Sequence, residues 1–309
     1  MTLVVAVDIG GTKLAGGVVG VDGTVSAARQ RATPATEGPE AILDAVAALA
    51  REVAGGQQID AIGVGTAGTV DATRGVIIGA TDSLTDWCGT EVAAGLARRL
   101  SLDPRRVQVQ NDVHAHALGE AVHGTGQQVR TMVFLAAGTG LGGAVVERGE
   151  VLRGARHVAG AVGHIPVPAA VGLRCGCGRQ GHAEAVASGT GLHAAWLAGG
   201  GDPSIRDARG VVALATDGDA RAVAAVTRSA TGLAQAIAGI VTTLDPDLVV
   251  VGGGLAEAGE LWWQAVLGGL RTELLDELQS VRIERSSMGT AAALAGAGRT
   301  AWMQLEADA

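Results

Sequence analysis

Tyrosine is absent from this chain, and phenylalanine, lysine and asparagine each occur once. Aromatic residues amount to 2% against 48% hydrophobic residues in all, so the core must be built from Val, Leu, Ile and Ala. That composition suits a Val-rich parallel or mixed sheet covered by Ala- and Leu-rich helices. Basic blocks are missing as well. With a net charge of −8 and no basic patch interleaved with aromatics, a nucleic-acid partner is not expected. No stretch approaches the roughly 18 uninterrupted apolar residues of a membrane span, and the amino terminus lacks the charged start of a secretory signal. The expectation is a soluble, cytoplasmic protein without a membrane partner. Cysteine is scarce too: three residues, two of them separated by one position, make a poor disulfide framework and a better metal site.

The 309 residues predict two domains or one large one. The organising stretch is Val107-Gln-Val-Gln-Asn111-Asp112, a short β-rich run that ends in an Asn-Asp pair ahead of a helical pattern. An acid where a strand gives way to a helix lies at the carboxyl edge of a sheet, where open α/β folds gather ligands. The bland alternative is a helix cap, a position both Asn and Asp favour.

Glycine loops surround this pair. Leu3 to Asp8 reads as a buried strand that ends in Asp8-Ile-Gly10-Gly11-Thr12-Lys13, followed by a second strand from Leu14 to Val21. Thr131 to Ala137 repeats the design, leading into Gly138-Thr139-Gly140-Leu-Gly-Gly143 and another strand from Ala144 to Glu147. Strand, glycine loop, strand is not the order of a P-loop. The glycines still let backbone N–H groups converge on a phosphate, and Thr12 and Lys13 add donors. The repetition suggests an internally duplicated fold with phosphate held between its halves. Residues 138–143 also match the dinucleotide fingerprint, but a strand follows and no Asp or Glu occurs from Val151 to Ala183, which argues against a dehydrogenase. A third loop, Gly252-Gly253-Gly254, follows the strand Asp247 to Val251 and suits close approach by a flat nucleoside.

Helical patterns cover Glu40 to Val53, Thr90 to Leu100, the stretch through His123, and Asp217 to Leu244. Gly289 to Met303 reads as a further helix that could return to the first domain, ahead of a frayed end. The polar loop from Asp82 to Trp87 offers its Trp either as a sugar-stacking surface or as a loop anchor. Four further side chains, His164, Cys175, Cys177 and His182, fall in a Gly-rich segment and form a Cys₂His₂ set suited to tetrahedral Zn²⁺. With no open coordination position, such a zinc would be structural.

Asp8-Ile-Gly-Gly-Thr-Lys13, Asn111-Asp112, Gly138-Thr-Gly140, Gly163-His164, Cys175-Gly-Cys177-Gly and Leu244-Asp-Pro-Asp-Leu-Val-Val-Val-Gly252-Gly-Gly254 together resemble the ROK family of repressors, open reading frames and sugar kinases. The match runs over nearly the whole chain. It implies an α/β, actin-like ATPase fold, with two similar ribonuclease-H-like domains around a central cleft. The domains expected are 1–122, completed by a helix at 289–304, and 123–288, carrying a zinc loop at 164–184. The implied activity is phosphorylation of a hexose at its 6-hydroxyl by ATP with Mg²⁺, in a homodimer whose partners are the sugar and ATP. Repressor members carry an amino-terminal DNA-binding domain; the first glycine loop here begins at residue 8, so a kinase is expected. Carried over by position, Asp112 resembles the catalytic base, and Gly68, Ser83, Asn111, His164 and Glu184 resemble sugar-binding positions. Asp8, Gly10, Gly11, Thr12, Lys13, Thr139, Gly140, Gly253 and Gly254 resemble the nucleotide and phosphate positions, with Asp8 near the Mg²⁺. His164, Cys175, Cys177 and His182 resemble the zinc ligands. Three departures stand out: His182 replaces a cysteine, Ser83 an asparagine, and Ala161 a glutamate that grips the sugar near carbons 1 and 2. Family glucokinases normally keep that glutamate and some N-acetylmannosamine kinases lack it, which tilts the expected substrate towards an N-acylhexosamine. A glucokinase using ATP or polyphosphate, and a catalytically weak sugar sensor, are the alternatives.

Overall fold

The structure, a computed structural model, describes residues 2–81 and 83–308; Asp82, part of the polar loop singled out above, lies outside them. In chain order the elements are β1 (Val4–Ile9), β2 (Lys13–Val19), β3 (Val25–Ala32), α1 (Pro39–Ala54), β4 (Ala61–Thr66), β5 (Thr69–Asp71), β6 (Val76–Gly79), α2 (Val92–Leu100), β7 (Val107–Asn111) and α3 (Asp112–His123). There follow β8 (Thr131–Ala137), β9 (Leu141–Glu147), β10 (Glu150–Val151), α4 (Glu184–Ala187), α5 (Gly189–Ala198), α6 (Ala208–Thr216), α7 (Ala220–Leu244), β11 (Leu248–Gly252), α8 (Glu260–Glu273), β12 (Arg282–Arg285) and α9 (Ala291–Ala307).

Two five-stranded sheets repeat one plan, with orders β3-β2-β1-β4-β7 and β10-β9-β8-β11-β12. In the first, β1 pairs antiparallel with β2 and parallel with β4, and β4 pairs parallel with β7. In the second, β11 pairs parallel with both β8 and β12. The chain divides into two compact units, residues 1–128, 146–159 and 287–309 in one and residues 129–145 and 160–286 in the other.

In the first unit the buried face of α1 (Ile42, Leu43, Val46, Leu49, Ala50, Val53) packs with β1, β4 and α2 residues into one apolar cluster. Pro39 in the first turn and left-handed Gly55 at the end mark the limits of α1, as the asymmetry of helix ends leads one to expect. The opposite face of this sheet carries α3 and α9, drawn very close by glycine: a Cβ on Gly63 of β4 would stand 1.8 Å from the Ala297 carbonyl oxygen. In the second unit α7, capped by Asp219, is the central helix of a cluster that includes Val249, Val251, Trp262 and Trp263. Both tryptophans are therefore packing residues.

Several boundaries differ from the sequence reading. The helix expected from Glu184 breaks at Ser188, whose hydroxyl caps α5. The hairpin β5–β6 and helix α6 were not expected. The carboxyl end is not frayed, because α9 runs to Ala307.

Candidate functional site

In the first unit, Asp8 on β1 pairs in register with Gly65 on β4, and Thr66 with Asn111 on β7. A Cβ on Gly65 would lie 3.4 Å from Asp8 Oδ1 and 3.6 Å from Asp112 Cα. The missing side chain of Gly65 is what lets two carboxylates flank one point of the sheet edge. Sequence reasoning did not single out Gly65, although a glycine inside a strand signals close approach.

Asp8 Oδ1 is buried and has no hydrogen-bond partner among the described residues. Burial and then the nearby Asp112 carboxylate push the Asp8 pKa up to about 7, against the opposing pull of Lys13. Burial also raises Asp112, while hydrogen bonds from the Val113 N–H and Asn111 act to lower it. An orphaned, buried carboxylate oxygen of this kind is a ready ligand for a hard cation such as Mg²⁺. Asp8 and Lys13 line a cavity of about 500 Å³.

The turn from β1 to β2 closes with the Gly10 N–H donating to the Lys13 carbonyl at 3.0 Å. Thr33 Oγ1 donates to the Gly10 carbonyl at 2.7 Å, fixing the turn from the side. The N–H groups of Gly11 and Thr12 make no hydrogen bond among the described residues, so the turn offers two donors to an anion. Gly11 has little room for a side chain, since Ser83 passes 3.3 Å from where its Cβ would be.

Asn111 and Asp112 form the head of α3. Asn111 Oδ1 accepts from the N–H groups of Val113 (2.9 Å) and His114 (3.2 Å), the capping geometry foreseen as the bland alternative. Asn111 Nδ2 donates to the Gly68 carbonyl at 3.0 Å and to Asp112 Oδ1 at 2.8 Å. Gly68 itself has φ +103 and abuts the Gly79 carbonyl, so its glycine is required by the turn into β5. Trp87 is 1% exposed and donates to Thr66 Oγ1 at 3.1 Å. It anchors its loop and cannot stack on a sugar.

In the second unit, the Gly138 N–H donates to the Gly140 carbonyl at 3.0 Å, closing a turn in which the Thr139 N–H has no partner among the described residues. Glu184, at the start of α4, accepts from the Leu141 N–H through Oε2 at 3.1 Å and lies 3.5 Å from Cys175 Sγ through Oε1. The same carboxylate therefore braces both the glycine turn and the cysteine loop. Gly253 has φ +88 and a Cβ there would stand 2.5 Å from the Ala137 carbonyl oxygen, so chain packing alone demands glycine; Gly254 faces open space. Beside the end of β11 a cavity of about 410 Å³ is lined by Gly252, Ala256, Glu257, Glu260, Arg285 and Ser286.

His164, Cys175, Cys177 and His182 are brought together, with one ligand atom from each lying within 4.8 Å of the others. Cys177 Sγ is 3.3 Å from His182 Nδ1, and Cys175 Sγ is 3.7 Å from His164 Nδ1. The loop is held by the Cys175 N–H donating to the Arg179 carbonyl and the Gly178 N–H to the Cys175 carbonyl. Two sulfurs and two imidazoles at this spacing fit a tetrahedral Zn²⁺. Without a cation, burial pushes the Cys175 thiol up to about 11, so positive charge is what the donor set lacks. Cys88, the third cysteine, is exposed and separate. No helix among the described residues is long and apolar enough to cross a membrane.

Against known proteins, the family model described as "ROK family" matches residues 4–304. A glucokinase from Thermotoga maritima is 32% identical over 284 residues, covering 88% of this chain and 87% of its own length. An N-acetylmannosamine kinase from Shigella flexneri is 38% identical over 259 residues, covering 82% of this chain and 84% of its own. Among solved structures, a ROK hexokinase from Thermus thermophilus superposes with a TM-score of 0.86 at 33% identity, covering 99% of this chain and 100% of its own.

Proposed function

This chain belongs to the ROK family, and on that premise we propose that it is a sugar kinase transferring the γ-phosphoryl group of ATP to the 6-hydroxyl of a hexose or N-acylhexosamine. The observation that carries this reading is Asp112: a carboxylate at a helix head on the sheet edge, with Oδ1 bound by Asn111 and Val113 and no hydrogen bond to Oδ2 among the described residues.

In the mechanism, Asp112 accepts the hydroxyl proton as the sugar oxygen attacks phosphorus. The N–H groups of Gly11 and Thr12, with Gly10 and Lys13, meet charge on the phosphoryl oxygens. The turn of Thr139 and Gly140 gives similar support from the second unit. Asp8 would hold the Mg²⁺ that accompanies ATP, which neutralises phosphate charge. The cavity at Gly252, with Gly253 and Gly254 above it, is assigned to the nucleoside, with Glu257 and Glu260 available to ribose hydroxyls. Gly68, Ser83, Asn111, His164 and Glu184 are the family's sugar positions. His164 can serve twice, with Nδ1 directed at zinc and Nε2 left for a hydroxyl. Zinc on His164, Cys175, Cys177 and His182 would be structural. A cytoplasmic homodimer completes the proposal on family grounds.

The sugar is the finer question. Relatives divide between glucose and N-acetylmannosamine. Ala161 is exposed and ends in a methyl group, leaving room for an axial N-acetyl group where family glucokinases carry a carboxylate. N-acetylmannosamine is therefore the first sugar to try and glucose the second. An ADP-release assay across glucose, mannose, N-acetylglucosamine and N-acetylmannosamine tests the proposal. Turnover on any of them is the expected result. Thermal stabilisation by a sugar with no turnover on any would make the protein a sensor.

A further inference from the structure

We propose that Asn111 is a positioning residue that aims Asp112, not a sugar ligand, and that Asp112 Oδ2 is the atom that takes the sugar proton. This rests on the kinase reading above and gives it a reacting atom.

A primary amide has two acceptor lone pairs and two N–H donors. At Asn111 all four are used. Oδ1 accepts from the Val113 and His114 N–H groups at 2.9 and 3.2 Å. Nδ2 donates to the Gly68 carbonyl and to Asp112 Oδ1, at 3.0 and 2.8 Å. Taking a sugar hydroxyl would mean releasing the helix cap, the β5 turn or the catalytic carboxylate. Each of those three is local structure that the site needs.

The consequences fall on Asp112. Its Oδ1 receives two donors, Asn111 Nδ2 at 2.8 Å and the Val113 N–H at 2.9 Å. Both act on the same oxygen, so the carboxyl group is held in one orientation about its Cβ–Cγ bond. Oδ2 accepts no hydrogen bond among the described residues and is the oxygen able to receive a proton. Asn111 also takes its own orientation from outside the helix, through the Gly68 carbonyl. The chain of bonds from β5 through Asn111 to Asp112 thus fixes where the base points. That Asn111 is the only asparagine in the chain is consistent with a position that needs donor and acceptor on one short side chain.

Asn111→Asp and Asn111→Ser test this. Both residues cap helices well, so thermal melts should stay close to wild type. Neither restores an amide donor towards Asp112, and the aspartate variant adds a repelling charge. A base misplaced by about 1 Å can cost roughly 10²-fold in rate. We expect kcat to fall by about that factor in both, more in the aspartate variant, while the sugar Kd measured by calorimetry without nucleotide changes by less than about threefold. A sugar Kd weakened tenfold or more in the serine variant would make Asn111 a ligand and overturn the proposal. Unchanged kcat in both variants would overturn it as well. If the wild type turns over none of the four sugars, the kinase reading and the base fail, while the Kd comparison still decides whether Asn111 is a ligand.

Discussion

Asp8 and Asp112 flank Gly65, and their shared burial has a consequence for stability. Burial first, and Asp112 second, raise Asp8 from the ordinary 3.8 to about 7. A carboxyl group raised in the folded state holds its proton while the unfolded chain loses it, so stability falls as pH rises from 3.8 to about 7. Asp8→Asn should therefore melt higher than wild type at pH 8, with the gain shrinking towards pH 4 and activity largely lost. Calorimetric melts across that range check this; a gain independent of pH would contradict it. At this scale the sequence disclosed the acids and glycine turns, because spacing alone marks them. It did not disclose which way they face. Trp87 reads as a candidate sugar surface in a polar loop, yet it is buried on Thr66. Gly253 reads as room for a ligand, yet its missing side chain is filled by the Ala137 backbone. Both depend on contacts between segments far apart in the chain.

Among the elements, the cysteine loop and the α3–α9 pair give the sharpest expectations. The loop has little core of its own, so zinc should supply its stability. Metal analysis should return about one zinc per chain, consistent with a closed four-ligand site. Chelation or Cys175→Ser should lower the melting temperature. Through Cys175 and Leu141, Glu184 joins that loop to the second glycine turn, so zinc loss should also weaken phosphate binding. Zinc-free protein of unchanged stability would contradict this. Gly63→Ala tests the other element, since its methyl group would meet the Ala297 carbonyl 1.8 Å away. The usual penalty for overpacking is about 1–3 kcal/mol, and a backbone neighbour that cannot rotate aside places this case at the upper end. A denaturant titration showing a loss below about 0.5 kcal/mol would contradict that packing. Strands such as β8 were legible to their ends because a continuous apolar run is bounded by glycine. The hairpin β5–β6 was not, because Thr69–Asp71 and Val76–Gly79 are too short to show a period.

For the whole molecule, the duplicated strand–glycine turn–strand unit was the legible feature, and the two matching sheet orders are its physical counterpart. The Ala-rich pattern after Gly289 likewise reads as a helix, and α9 does belong to the first unit. Residues 146–159 also belong to that unit, with no change of composition to announce it. Substrate identity is less legible for an energetic reason: one lost contact, as at Ala161, is worth roughly 1–3 kcal/mol and can be offset by a water or another substituent. Asp112→Asn tests the central claim most directly, because it keeps the shape of the residue and removes its capacity to take a proton. General-base assistance contributes about 10²–10⁴-fold, so kcat should fall by that much while calorimetry shows sugar binding retained. A variant that keeps more than about a tenth of the wild-type rate would show that the base is elsewhere.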